Sequence, residues 1–202
     1  MTGAIAKNHP LPAQYAAELL VVTRGDGVRH ETAARKRYLD TAGAIAVTAL
    51  DYGREDLARA AYEQMLRLPH ISNVFANEPA LELARRLRAS GDWAAVFFGN
   101  SGSEANEAAL KYARLYALRT KGPDHHRILC FTGAFHGRTM GALSCTPTAK
   151  YQDPFAPLVP GVAVAPYNDE AALERALDGG FAAVIVEPVQ GEGGLSVMSP
   201  GF

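Results

Sequence analysis

From Gly53 onward the chain alternates stretches of helical periodicity with short apolar runs, and this alternation restricts the fold more than any other property of the sequence. Arg54 to Leu68 carries Leu57, Ala60, Ala61 and Met65 at the spacing of one helix face, and Pro69 stops it. Pro79 opens a second helix, with Leu81, Ala84 and Leu87 on one side and Gly91 just past its end. Ala94 to Phe98 is an apolar run of strand type, and a long helix from about Ser101 to Leu118 follows it. Ile128 to Phe131 is another strand candidate and Ala182 to Val186 reads as a buried strand, with a helix over Asp169 to Leu177 between them. Strands alternating with helices predict an α/β fold, a mainly parallel sheet flanked by helices.

Residues 1–50 read as a small N-terminal segment and 51–202 as the first part of a larger domain. Within the former, Leu11 to Val22 suggests a short helix running into an extended segment. Gly25-Asp26-Gly27 marks a turn, and Val28 to His30 can pair with Lys36 to Leu39. So few strands leave the sheet unfinished, and more chain is expected after Ser199-Pro200-Gly201-Phe202.

Composition narrows the partners. Twenty basic against 21 acidic residues give a net charge of -1, with no basic field for nucleic acid or an anionic membrane. An anionic ligand must therefore be held by local geometry. The two cysteines, Cys130 and Cys145, match no metal spacing and suggest no disulfide framework, which points to a reducing cytoplasm and no metal. The N-terminus has no apolar signal core, and no run of about 18 apolar residues could span a membrane.

Three segments carry candidate chemistry. In Phe97-Phe98-Gly99-Asn100-Ser101-Gly102-Ser103-Glu104 an apolar run enters a Gly/Ser turn that opens a helix. The first helical amides lack intrahelical partners and the dipole adds positive charge there, so an anion fits. Ser101-x-x-Glu104 is equally a capping box, which any helix can use. The phosphate-loop Gly-Lys-Ser/Thr ending is missing, and so is the second glycine of a nucleophile elbow.

The second segment, Thr132 to Thr139, follows a strand, where parallel sheets place ligand crevices. Phe135 offers a flat face to a planar ligand, and Arg138 a rigid fork to a carboxylate. Core packing for Phe135, a surface ion pair for Arg138 and a structural role for His136 are the ordinary alternatives. The third, Glu187 to Gly194, sets two glutamates and a glutamine in a glycine-rich turn, which suits a polar ligand rim or a solvated loop.

Together and in this order, these segments resemble the class III aminotransferases, the fold-type I pyridoxal-phosphate enzymes, and most closely their acetylornithine branch. Ser72 to Pro79, Phe97 to Lys111, Phe135 to Thr139 and Glu187 to Gly194 carry the likeness. Tyr38-Leu39-Asp40, Gly43 to Val47, Lys150-Tyr151 and Asn168-Asp169 add to it. The resemblance implies that residues 51–202 begin the large pyridoxal-phosphate-binding domain. It implies that Gly102 and Ser103 hold the cofactor phosphate, Phe135 stacks on the pyridine ring and Arg138 binds the donor α-carboxylate. Glu192 would pair with a distant arginine and swing away for a 2-oxoglutarate carboxylate. Glu187 would lie near the cofactor.

The implied activity is transfer of the ω-amino group of acetylornithine to 2-oxoglutarate, in arginine-type biosynthesis. Ornithine, succinylornithine, acetyl-lysine and 4-aminobutyrate are alternative donors, and a complete chain would be a homodimer. Two departures qualify this. Asp51-Tyr52-Gly53-Arg54-Glu55 stands where the family usually has Gly-His and a proline. The family's Asp-Glu-Val-Gln motif is absent, and none of the five lysines (Lys7, Lys36, Lys111, Lys121 and Lys150) sits in the context of its Schiff-base lysine. These 202 residues are therefore expected to be inactive alone, as part of an enzyme or as a non-catalytic relic or partner subunit.

Overall fold

The computed structural model describes residues 5–6, 19–177 and 179–202. The chain forms two compact units, residues 1–83 and 84–202. Of the expected helix and extended segment from Leu11 to Val22, residues 11–18 lie outside the described residues.

In the first unit, β1 (Ile5–Ala6) pairs antiparallel with β2 (Leu19–Leu20). A meander of β3 (Val22–Asp26), β4 (Arg29–Thr32) and β5 (Arg37–Leu39) follows. The expected pairing of the last two is present, with His30 opposite Tyr38, and Gly27 at φ +52° makes the turn before β4. Asp40 organises the next bend. Its carboxylate, 8% exposed, accepts the amides of Ala42 and Ala44 (both 3.1 Å) and the Tyr52 hydroxyl (2.9 Å), and lies 3.3 Å from His30 Nε2. Burial works against the Asp40 charge, but these hydrogen bonds and His30 outweigh it and hold the carboxyl below its ordinary range. The bend contains α1 (Gly43–Ala46), a tight turn in which Ala44, Ile45 and Ala46 all have positive φ.

Helix α2 (Glu55–Arg67) matches the periodic segment that ends at Pro69. Helix α3 (Glu78–Ala89) starts where Asn77 Oδ1 caps the Ala80 amide at 2.9 Å, with Pro79 in its first turn where a missing N–H costs nothing.

The second unit is built on a three-stranded sheet. Strand β6 (Arg127–Phe131) lies between β7 (Val162–Ala165) and β8 (Phe181–Val184), parallel to both. The period of two along β6 sorts its side chains onto two faces. Leu129 and Phe131 pack with Ala165, Phe181 and Leu173 of α7 (Glu170–Leu177). Ile128 and Cys130 pack with Cys145 and with Leu110 and Ala113 of α4 (Gly102–Lys121). Two short helices, α5 (Met140–Ser144) and α6 (Ala149–Gln152), connect β6 to β7. A small hairpin of β9 (Val189–Gln190) and β10 (Ser196–Val197) follows β8. Asn168 pins it, donating to Val197 O at 3.0 Å and accepting from Ser199 N at 2.9 Å.

One expectation fails. Ala94 to Phe98 is not a strand: the residues have no ladder partner among those described, and Phe97 and Phe98 are 55% and 47% exposed. An apolar run becomes a strand only where another strand's N–H and C=O groups lie beside it. The β7 run was not singled out in the sequence, where Val162-Ala163-Val164-Ala165 is short and follows a proline-rich loop.

The core makes a direct prediction. Leu129 is fully buried on the α7 face of β6. Leu129→Ala should lower unfolding free energy by about 2–5 kcal/mol, read as a shifted denaturant midpoint at constant m.

Candidate active site

Strands β6, β7 and β8 run parallel, so the loops leaving their C-terminal ends form one rim. Helix α4 packs against this sheet and brings its N-terminus to the same rim. Ser101 caps it: its Oγ accepts the Glu104 amide at 3.2 Å, and Glu104 reaches back to the Asn100 amide. The capping box is therefore real, and it leaves the Gly102 and Ser103 amides without acceptors inside the helix. A Cβ on Gly102 would meet nothing within 4 Å, so the space beside this residue is open.

The loop after β6 is fastened to that helix start. Asn106 Nδ2 donates to His136 O at 2.6 Å. Gly137, at φ +126°, lies so close to Ser103 that an added Cβ would collide with Ser103 Oγ and sit 3.0 Å from Ser103 Cβ. Glu107, one helical turn on from Ser103, accepts the amides of Gly141 (2.7 Å) and Ala142 (3.2 Å) at the start of α5. Burial opposes its ionisation, yet the Thr139 hydroxyl and these two amides together keep the carboxyl below its ordinary range. Thr146 closes the loop from below, its Oγ1 accepting the His136 amide at 2.9 Å and donating to Ala142 O at 3.0 Å.

Phe135 is half-buried, and its amide donates to Glu187 Oε2 at 3.0 Å. Arg138 is exposed and pairs with no carboxylate among the described residues. Its Cζ instead stands 4.0 Å from the Tyr151 ring centroid and 5.9 Å from that of Phe135. The loop after β8 is stitched to the loop after β6 a second time, by Gln190 Nε2 donating to Thr132 O at 3.0 Å. Tyr167, after β7, donates its hydroxyl to Glu187 O at 2.8 Å.

His136 is 6% exposed, with Nε2 unpartnered. Burial pushes its pKa below the ordinary value against the pull of nearby Glu187, so the ring is neutral near pH 7.

The structure thus brings together Gly102, Ser103, Phe135, Arg138 and Glu187. Glu192 lies apart at the exposed tip of the β9–β10 hairpin, with no ion pair among the described residues. Asn106, Glu107, Thr146 and Tyr151 were given no role in the sequence reading. Asn106 and Glu107 stand inside the helix-start motif, and only the Lys150-Tyr151 match marked the tyrosine. Both cysteines are free and buried, and the described residues contain no metal-holding cluster and no helix long and apolar enough to cross a membrane.

This arrangement, a capped helix start facing a post-strand aromatic and arginine, occurs in a fold shared with pyridoxal-phosphate-dependent aminotransferases. An ornithine aminotransferase from Toxoplasma gondii, whose description records pyridoxal phosphate at its active site, superposes with a TM-score of 0.88 at 31% identity. That match covers 95% of this chain and 46% of the other. An (S)-enantioselective omega-transaminase from Thermomicrobium roseum gives 0.89 at 33% identity, covering 96% and 50%. In sequence, the chain is 44% identical over 181 residues to a succinylornithine transaminase/acetylornithine aminotransferase of Pseudomonas aeruginosa, covering 90% of this chain and 45% of that relative. Residues 11–202 match the family described as Aminotransferase class-III, and the chain belongs to that family. It spans about half the length of the curated relatives it matches.

Two predictions follow from the geometry. Gly137→Ala forces a side chain into positive φ and against Ser103, and should cost about 1–3 kcal/mol in backbone strain alone. It should also displace the Ser103 side chain, read as changed NMR shifts at the α4 N-terminus. For Glu107, the lowered carboxyl stabilises the fold fully above the ordinary glutamate value of about 4.3 and loses that contribution as pH falls through the lower folded value. Glu107→Gln should therefore flatten the acid limb of a stability-versus-pH curve.

Proposed function

We propose that this chain supplies the cofactor- and donor-binding elements of a pyridoxal-phosphate-dependent aminotransferase. Its amino donor would be acetylornithine or a similar ω-amine, and its acceptor 2-oxoglutarate. The observation that carries this reading is the convergence of an open helix N-terminus, a half-buried aromatic ring and an arginine without a carboxylate partner on one rim. The residues fit the cofactor. The Gly102 and Ser103 amides and the Ser103 hydroxyl would hold the phosphate, and Phe135 would cover one face of the pyridine ring. When bound, pyridoxal phosphate supplies an electron sink for the carbon that bears the reacting amine.

Arg138 would orient the donor by its α-carboxylate, which lies far from that carbon in an ω-amine. Glu187 fixes the Phe135 backbone by accepting its amide, and would so steady the ring that covers the cofactor. Glu192, on its exposed hairpin, would meet an arginine from outside these residues and yield to a 2-oxoglutarate carboxylate. The names of the relatives support an acetylornithine or succinylornithine donor. We further propose a homodimer acting in the cytoplasm, where free thiols such as Cys130 and Cys145 persist.

None of the five lysines stands in the family's catalytic context, so these residues alone should release no glutamate when incubated with pyridoxal phosphate, acetylornithine and 2-oxoglutarate. They should still bind the cofactor, seen as a saturable change in its absorbance; absence of such binding would remove the cofactor reading. In an active protein that contains this chain, Arg138→Lys loses the bidentate fork. Loss of such a charge-assisted pair costs about 2–5 kcal/mol, so donor kcat/KM should fall by roughly 30-fold or more with cofactor affinity retained. Unchanged donor kinetics would take Arg138 out of the site.

A further inference from the structure

We propose that Tyr151 is a positioning residue for carboxylate recognition, its ring holding the Arg138 guanidinium in a fixed plane beside Phe135. The inference rests on the reading of Arg138 as the donor-carboxylate residue. Arg138 Cζ lies 4.0 Å from the Tyr151 centroid, and the Tyr151 ring meets Phe135 edge-on at 6.4 Å and 79°. An aromatic face under a guanidinium satisfies its flat side and leaves the in-plane N–H fork for a carboxylate. Without the ring, an exposed arginine samples many rotamers, and a ligand must order it on binding.

The ring's own support is firm. Helix α6, which carries it, is anchored by Gln152 Nε2 to the carbonyls of Leu143 (2.9 Å) and Ser144 (3.4 Å) at the end of α5. The start of α5 is held in turn by Glu107. Lys150 Nζ stands 5.3 Å from the same ring and adds positive charge near the fork. The Tyr151 hydroxyl makes no hydrogen bond among the described residues. The aromatic face is the working part, so phenylalanine should serve and leucine should not.

The test compares N-acetylornithine with N-acetylputrescine, the same amine without the carboxyl group. In an active protein that contains this chain, kcat/KM for the two amines is measured for wild type, Tyr151→Phe and Tyr151→Leu. Wild type and Tyr151→Phe should prefer the carboxylated ligand. In Tyr151→Leu that preference should fall by about tenfold, equivalent to about 1.4 kcal/mol, with kcat/KM for N-acetylputrescine and thermal stability unchanged. In 15N NMR the Arg138 Nε–H signal should carry a ring-current shift in wild type and Tyr151→Phe that Tyr151→Leu abolishes.

An undiminished preference in Tyr151→Leu, an equal loss for both ligands, or a phenylalanine variant as impaired as leucine each overturns the role. Wild type that binds the cofactor but shows no carboxylate preference overturns it too and leaves the cofactor site standing. Wild type that binds neither cofactor nor donor overturns the proposed function and this inference with it.

Discussion

Burial of β6 on both faces is the constraint on which the second unit depends. Ile128, Leu129, Cys130 and Phe131 are each no more than 1% exposed, and alternate members belong to opposite cores. A slip of one residue would exchange the two sets, so the register is held by packing on both sides. At about 1.5–3 kcal/mol for each large apolar side chain buried, this short strand is among the most strongly anchored segments of the unit. Thr132, at its end, begins the loop that carries Phe135, His136 and Arg138. The two neighbouring strands deliver Tyr167 and Glu187 to the same edge because parallel pairing leaves them no other direction.

The site itself depends on how that loop meets α4. A phosphate cradle needs free amides, and a ring platform needs a rigid backbone. In the proposed site the backbone of that loop is held by polar contacts: Asn106 on a carbonyl, Glu107 on two amides, Thr146 on an amide and a carbonyl. Each removes a backbone group that would otherwise be left unsatisfied in a partly buried turn. Arg138 has no carboxylate partner among the described residues and lies over the Tyr151 ring instead. A cation resting on an aromatic face rather than on an acid keeps its affinity for an incoming anion.

Features encoded over a few residues could be read from the sequence. The helix start at Ser101-Gly102 was visible because capping is a local event, and the β4–β5 pair because a short turn joins its strands. The family likeness added the expected roles of Phe135 and Arg138, which enter the proposed function. What escaped depended on partners distant in the chain. Glu107 and Gly141 are 34 residues apart, and nothing in the helical pattern around Glu107 announces a helix start waiting for it. Tyr151 stands out in the sequence only through the Lys150-Tyr151 match; its place under the Arg138 guanidinium depends on a residue 13 positions away in the chain. Ala94 to Phe98 erred the other way. Its composition suits a strand, but strand formation is a property of a pair.

The stitch between Thr132 and Gln190 has a consequence for how members of this family can diverge. Gly133, at φ +77°, leaves room that a side chain would deny: a Cβ there would fall 2.7 Å from Gln190 Oε1. The glutamine bridges to main chain, so it is indifferent to which side chain stands at 132 but sensitive to how many residues separate each strand end from the bridge. Substitution should be tolerated along these two loops far more readily than insertion or deletion. Change in ligand preference should therefore accumulate by exchanging side chains on a rim of constant length, with new segments added elsewhere in the chain.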